Sequence, residues 1–333
     1  MGQKKKKPLK VFEAFAGYGG ASFGLKRSGL KYKVIGFSEI EPSAKRILHE
    51  NFPNIKDYDN IITINEELEK DRNYIPDFDL FTGGFPCQPF STAGKQMGDK
   101  DELGRGTMLY EILKLCKIKR PKYILLENVR GFKASKFKHI WEKFEKGLGD
   151  EYQFRMEVLN TKDYGIPQNR ERLWIFGVRG KLPSTFSMIP VRIDERPRVK
   201  DFLDKQPPEE MYLSDKQVKH FIEVHGKHNV ESFDVDEPLC FDVYNHKIKM
   251  DGLCNTLTEP SHNITRIIEP RTKEGKLRIR KLTINEQYRL MGFKDNEIKF
   301  PADLDYRQIS ARAGNGWDVN LVGLLLKYIF NQL

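Results

Sequence analysis

The chain has 333 residues, 39% hydrophobic and 31% charged, with a mean hydropathy of −0.59. That length suits one large domain plus a smaller one, and no apolar run approaches the roughly 20 residues needed to cross a bilayer. Lys and Arg number 57 against 47 Asp and Glu; the net charge of +10 fits a polyanionic partner such as nucleic acid, and equally a lysine-rich soluble surface.

The first half alternates strand and helix signals. Residues 11–15 read as a buried strand, 22–28 as a helix stopped by Gly29, 32–39 as a strand, and 42–51 as a helix with Pro42 at its start. Residues 61–64 read as a short strand and 80–83 as another. A helix follows at 108–119, a strand at 123–127, a helix at 137–148, and strands at 154–159 and 173–178. Such alternation predicts an α/β fold, a mostly parallel sheet with helices on both faces. Ligands in such sheets bind beyond the carboxyl ends of the strands. From Lys181 the texture changes: Pro183, Pro190, Pro197, Pro207 and Pro208 interrupt the pattern, Arg192, Arg196 and Arg198 cluster, and helical periodicity returns only near 215–223. Regular pattern resumes at 282–291 and ends in a helix at 319–331. The expected organisation is a domain over 1–180, a smaller irregular one over 181–276, and a segment over 277–333 that returns to the first.

Two motifs carry reactive chemistry. Gly83-Gly84-Phe85-Pro86-Cys87-Gln88-Pro89-Phe90-Ser91 sets a cysteine just past a strand. A buried structural thiol is the plain alternative, and Pro86 with the polar Gly94-Lys95-Gln96 stretch argues against it. Leu125-Leu126-Glu127-Asn128-Val129 ends another strand on a carboxyl group, which in isolation could be a surface ion pair. Together, a thiol and a carboxyl at neighbouring strand ends can attack a ring and handle its proton. Cys116 falls on a helical apolar pattern and reads as core, while Cys240 and Cys254 have no context that makes them reactive. The four cysteines form no CxxC pair and the seven histidines keep no ligand spacing, so neither a zinc site nor a disulfide scaffold is expected.

Phe15-Ala16-Gly17-Tyr18-Gly19-Gly20 follows the first strand and precedes a helix. Glycines there allow a tight turn and close approach to a ligand; alone the signal is weak. Glu39 ends the next strand about 20 residues on, where an acid can bind ribose hydroxyls. The turn lacks GxGxxG spacing and a P-loop lysine, which favours a nucleoside ligand without phosphates, such as S-adenosylmethionine. Gln168-Asn169-Arg170-Glu171-Arg172 enters a strand and could equally be an exposed Arg/Glu ladder.

These motifs, with the late Gly314-Asn315, occur in the order of the DNA (cytosine-5)-methyltransferase family, which the chain resembles over nearly its whole length. The resemblance implies a Rossmann-like S-adenosylmethionine-dependent methyltransferase sheet with a smaller target-recognition domain. It implies Cys87, Glu127, Arg170 and Arg172 as catalytic residues. S-adenosylmethionine would be held by Phe15, Ala16, Gly17, Tyr18, Gly19 and Gly20, by Glu39 and Ile40, by Asp59, Asn60 and Ile61, and by Pro86, Asn315 and Gly316. Gln88, Ser91, Lys95, Gln96, Asn128, Gln168 and Thr256 would serve nucleic-acid contact or a closing lid, with Asn128 positioning the strand-end loop.

The chemistry agrees with the residues. Carbon 5 of cytosine is a poor nucleophile until a thiolate adds at carbon 6; Cys87 supplies the thiolate and Glu127 holds ring nitrogen 3. The base must first leave the duplex, at a few kcal/mol. The implied partner is double-stranded DNA, methylated in a specific short sequence by a monomeric, cytoplasmic enzyme of a bacterium or phage-infected cell. No signal core follows the basic residues 1–7, so secretion is not expected, and a cognate restriction endonuclease would act separately. A tRNA cytosine-5 methyltransferase and a catalytically impaired DNA-binding member of the family stay open as alternatives. Three positions depart from the family pattern: Glu13 stands where Asp is commoner, Asp59-Asn60-Ile61 leaves the adenine partner undecided between Asp59 and Asn60, and Gly316-Trp317 replaces a Ser and a smaller apolar residue. Trp317 is expected to reshape the cofactor pocket.

Overall fold

A computed structural model describes residues 7–86, 108–228, 232–259 and 265–333. Its contacts group the chain into two units, one of residues 1–159, 171–191 and 319–333, the other of residues 160–170 and 192–318.

The first unit is built on strands β1 (Leu9–Ala14), β2 (Tyr32–Ser38), β3 (Leu80–Gly84), β4 (Tyr123–Val129), β5 (Tyr152–Asn160) and β7 (Glu171–Arg179); the two-residue β6 (Gln168–Asn169) belongs elsewhere. They form one sheet in the order β2-β1-β3-β4-β7-β5. The pairs β1–β2, β1–β3 and β3–β4 are parallel, and β7 runs antiparallel to β4. Continuous apolar runs such as Ile124-Leu125-Leu126 are fully buried, as strands covered on both faces require. Helices α1 (Gly20–Ser28), α2 (Pro42–Asn51), α3 (Ile61–Lys70), α4 (Met108–Lys119) and α5 (Lys138–Leu148) follow the strands. Phe12, Ile64, Phe81, Ile112 and Phe144 share one core with Cys116, whose thiol burial pushes far above its usual range. The strand order reverses between β1 and β3, so the segments leaving their carboxyl ends border the crevice where such sheets bind ligands.

One element differs in type. Residues 61–64 do not form a strand but open α3. Asn60 caps the helix, its Oδ1 accepting from the Ile62 amide at 3.0 Å, and Ile61, Ile64 and Leu68 are buried at helical spacing.

The second unit holds more regular structure than its prolines suggest. β6 pairs in parallel with β10 (Cys254–Asn255). Strands β8 (Leu239–Asp242), β9 (Lys247–Ile248), β11 (Arg266–Glu269) and β12 (Arg278–Lys281) form an antiparallel sheet in the order β12-β11-β8-β9. Helix α6 (Asp215–Gly226) packs Val218 and Phe221 with Phe241, Ile268 and Ile279. Helices α7 (Ile284–Leu290) and α8 (Tyr306–Asn315) belong to this unit as well. Where 181–276 was expected, the contacts group residues 160–170 and 192–318, as the β6–β10 pairing draws residues 160–170 to this unit and α7 and α8 stay with it. Of the expected returning segment 277–333, only α9 (Val319–Phe330) and the last residues group with the first unit.

Within that unit α9 lies against α1. A Cβ on Gly24 would come within 2.3 Å of the Val322 side chain, and one on Gly323 within 2.9 Å of Arg27 Cβ. The end of α9 sets Phe330 edge-on to Tyr123 at 4.9 Å and near Phe176. None of the described helices is long and apolar enough to cross a membrane.

Candidate active site

The turn after β1 is shaped by backbone that most residues avoid. Phe15, Gly17 and Gly19 all have positive φ, at 52°, 56° and 90°, and a non-glycine such as Phe15 holds such a conformation only where its surroundings impose it. Two carboxylates fasten the turn. Glu39, just past β2, accepts from the Gly17 amide at 2.7 Å and from the amides of Ile40 and Glu41. Glu13, buried in β1, accepts from the amides of Ala21 and Ser22 at 2.9 and 3.2 Å and from Ser22 Oγ at 2.6 Å, so it closes the amino end of α1. Ala16, Tyr18, Gly19 and Gly20 are buried, whereas Ile40 is 68% exposed beside Glu39. Across the β2 end, Asp59 takes φ 59°, directs its carboxylate to Lys45 at 2.7 Å, and receives Ser38 Oγ on its carbonyl. Asn60 Oδ1 is engaged in capping α3, and Ile61 is buried.

Burial pushes the Glu13 carboxyl up to about 7, outweighing the hydrogen bonds from Ser22 and Ala21 that favour its charged form. Between pH 4.5 and 7 the folded chain therefore holds a proton that the unfolded chain has released, and stability falls as pH rises through that window. From this group alone, a loss of about 3 kcal/mol is expected between pH 4.5 and pH 8. Urea unfolding of wild type and Glu13→Gln across that range checks it: the difference between the two should change with pH, and a constant difference would refute the assignment.

At the next two strand ends lies the acid. Parallel pairing sets Gly84 of β3 opposite Glu127 of β4. Arg172 on β7 directs Nε to Glu127 Oε1 at 2.9 Å, with the two side chains only 16% and 11% exposed. Asn128 is buried; its Nδ2 donates to the Phe85 carbonyl at 3.2 Å and its Oδ1 accepts from the Val129 amide. It thus ties the end of β4 to the segment leaving β3, a positioning role. Phe85 packs edge-on against Phe132, and the description stops at Pro86. Cys87, Gln88, Ser91, Lys95 and Gln96 lie outside the described residues.

The other named residues gather in the second unit, where Arg170 is a structural hub. Its buried guanidinium donates from Nη1 to the Leu257 carbonyl at 3.0 Å and from Nη2 to the carbonyls of Gly314 and Gly316 at 3.1 and 2.8 Å. Gln168 is fully buried: Nε2 donates to the Leu290 carbonyl at 2.6 Å, and Oε1 accepts from the Leu257 amide at 3.0 Å. Expected at the nucleic acid, Gln168 is instead a core bracket, since a side chain with no exposed surface and both amide ends bonded reaches no ligand. Thr256 Oγ1 donates to the Asn169 carbonyl at 2.7 Å, and Asn315 Nδ2 to Glu259 Oε1 at 2.6 Å. Gly316 and Trp317 are both buried. A Cβ on Gly314 would meet the Thr258 carbonyl carbon at 2.4 Å and its oxygen at 2.6 Å. Backbone cannot yield as a side-chain tip can, so Gly314→Ala is expected to cost about 3 kcal/mol, read from urea unfolding; a loss below about 0.5 kcal/mol would contradict this packing.

Arg170 and Arg172, expected together as catalytic residues, have different partners: backbone carbonyls for Arg170 and the Glu127 carboxylate for Arg172. Asn160, not among the expected site residues, joins them: its Oδ1 accepts from the Arg170 amide at 3.1 Å while Nδ2 donates to Asn169 Oδ1 at 2.7 Å. An asparagine at the end of a strand was the available signal.

The family model for C-5 cytosine-specific DNA methylases matches residues 9–331. The chain belongs to that family. Among curated relatives, it is 33% identical over 303 residues to the type II methyltransferase M1.ScrFI of Lactococcus lactis subsp. cremoris, covering 89% of this chain and 72% of that one. It is 30% identical over 341 residues to M.Bsp6I of Bacillus sp. (strain RFL6), covering 98% and 99%. The match to M.NlaIV of Neisseria lactamica, at 33% identity, covers 68% of this chain and 57% of that relative. In fold it is similar to the Dnmt2 methyltransferase of S. pombe, with a TM-score of 0.72, 19% identity, and 98% and 99% of the two chains covered. The family is of the S-adenosylmethionine-dependent kind.

Proposed function

We propose that this protein is a DNA cytosine-5 methyltransferase that acts as a monomer on a specific short duplex sequence and extrudes the target cytosine. The observation that carries this reading is the Glu127–Arg172 pair at 2.9 Å, on the strand neighbouring the one that leads into Cys87. The Cys87 thiolate forms a bond to carbon 6 of the extruded base, and the displaced electron pair makes carbon 5 nucleophilic. Glu127 meets ring nitrogen 3, where the addition places charge, and Arg172 fixes the carboxyl in the required orientation. After carbon 5 gains its methyl group and loses its proton to a base, the carbon 6–sulfur bond breaks and Cys87 is regenerated.

The turn after β1 fits S-adenosylmethionine, which when bound supplies the electrophilic methyl group. An added Cβ on Gly17 would meet no described neighbour within 4 Å, Ile40 offers an exposed apolar face, and Glu39 beside it can accept from ribose hydroxyls. Asn60 is the candidate for the adenine edge, since Asp59 points to Lys45.

Charge is distributed unevenly along the chain. Residues 1–180 carry 33 Lys and Arg against 24 Asp and Glu, whereas residues 181–276 carry 15 against 17. In this reading the catalytic half supplies most of the sequence-independent attraction to phosphate, and the 181–276 region supplies recognition. A cognate endonuclease, where one exists, is a separate chain.

A duplex carrying 5-fluorocytosine at the target position tests the reading, because fluorine at carbon 5 prevents release of the enzyme. Wild type with S-adenosylmethionine should form a denaturation-resistant adduct and Cys87→Ser none. Labelled methyl groups from wild type that appear in tRNA and not in duplex DNA would overturn it.

A further inference from the structure

The four residues between β8 and β9 form a turn that is both exposed and held from two sides. Tyr244 is 68% exposed, and Asn245 and Lys247 are exposed with it. Beneath them, the buried Asp242 carboxylate accepts from the amides of Tyr244 and Asn245, both at 3.1 Å, and from Asn245 Nδ2 at 2.8 Å. On the far side His246 has a left-handed φ of 47°. Its ring stacks on His228 at 3.7 Å with an interplanar angle of 16°, and its Nδ1 lies 2.7 Å from Nδ1 of His225. His225 in turn packs on Phe221 and Phe241 at 4.2 and 4.8 Å.

A contact between two ring nitrogens is attractive only when one carries hydrogen and the other a lone pair. Burial, with His246, His228, Arg266 and His220 around it, lowers His225 to about 4, so this ring enters the contact uncharged at neutral pH. The latch and the Asp242 cap therefore hold the turn in one conformation. A left-handed backbone position, an exposed aromatic ring and a preordered amide meet at one tip, a combination typical of contact sites. Over residues 181–276 the 15 Lys and Arg do not exceed the 17 Asp and Glu, so recognition by this region draws on bases more than on phosphate.

We infer that this β8–β9 turn is a base-reading element, with the Tyr244 ring and the Asn245 amide meeting base edges of duplex DNA. The inference rests on the function proposed above and assigns part of its sequence specificity. Asparagine can bond an adenine edge in two places, and an aromatic ring can contact a thymine methyl or stack on an unpaired base. His246 acts at one remove, as a positioning residue.

The test uses the full chain and defined duplexes. Wild type, Tyr244→Ala, Tyr244→Phe and Asn245→Ala are compared in methyl transfer to the cognate duplex, in binding to a noncognate duplex, and in the set of sites methylated in a host genome. Tyr244→Ala and Asn245→Ala should each raise the KM for cognate DNA about 10- to 100-fold, leave kcat within about threefold, and broaden the set of methylated sites. Noncognate binding should stay within about twofold, and Tyr244→Phe should keep most of the cognate preference. Because the Tyr244 ring is exposed, Tyr244→Ala should melt as wild type does, while Asn245→Ala gives up the bond from Nδ2 to Asp242 and is read at a temperature well below its own melting point. If wild type methylates duplex DNA at defined sites and both alanine variants keep its KM and its sites, this inference is overturned and the parent reading stands. Wild type that transfers no methyl group to any duplex removes the parent reading instead.

Discussion

A Glu127→Gln variant is expected to lose about 10²–10⁴-fold in the rate of methyl transfer while remaining folded. Glutamine has nearly the same shape and keeps an oxygen that can accept from Arg172 Nε, now at 2.9 Å from Glu127 Oε1. What it lacks is a proton to share with ring nitrogen 3 and a negative charge to set against Arg172. The variant therefore separates chemistry from architecture. Single-turnover rates on a defined duplex read the first, and urea unfolding the second. A rate within fivefold of wild type would show that the carboxyl at the end of β4 does not take part. Arg172→Lys should fall between the two, because an ammonium lacks the fixed planar geometry of the guanidinium.

Arg170→Ala should act on the other quantity. Three carbonyls, those of Leu257, Gly314 and Gly316, accept from this one buried guanidinium, and removing it leaves them without that donor. A loss of about 4 kcal/mol or more in unfolding free energy is expected, since each hydrogen bond to a charged group contributes about 1.5–3 kcal/mol. Lysine should recover less than half, because one ammonium cannot span three separated acceptors. An Arg170→Ala chain of wild-type stability but no activity would instead return Arg170 to the reacting base.

The difference between these two arginines is a measure of what the sequence can disclose. The family resemblance names Arg170 and Arg172 together as catalytic, and the local pattern, which reads equally as an exposed Arg/Glu ladder, does not separate them. Yet Arg170 lies between β6 and β7, outside either strand, and only Arg172 follows the β7 register beside Glu127. The first-half sheet was legible because strands such as β1 and β4 are apolar runs and helices follow β1, β2, β3 and β4. The β-branched run Ile61-Ile62-Thr63-Ile64 misled, since its local preference is for strand; the cap at Asn60 and the partners for Ile64 and Leu68 decided for helix. The sheet of β8, β9, β11 and β12 left little local trace. Its strands are two to four residues long, and what stabilises them is pairing between residues far apart in sequence.

The packing of α9 on α1 has a consequence for synthesis. The helix that covers Gly24 belongs to the final 15 residues of the first unit, while α1 leaves the ribosome some 300 residues earlier. Throughout that interval the nascent chain carries an uncovered apolar face. The first unit lacks that cover until α9 has been made, whereas residues 218–279 already have their own core partners. The expected order of maturation is thus inverted relative to the genetic order: the unit that starts first closes last, when α9 settles on α1.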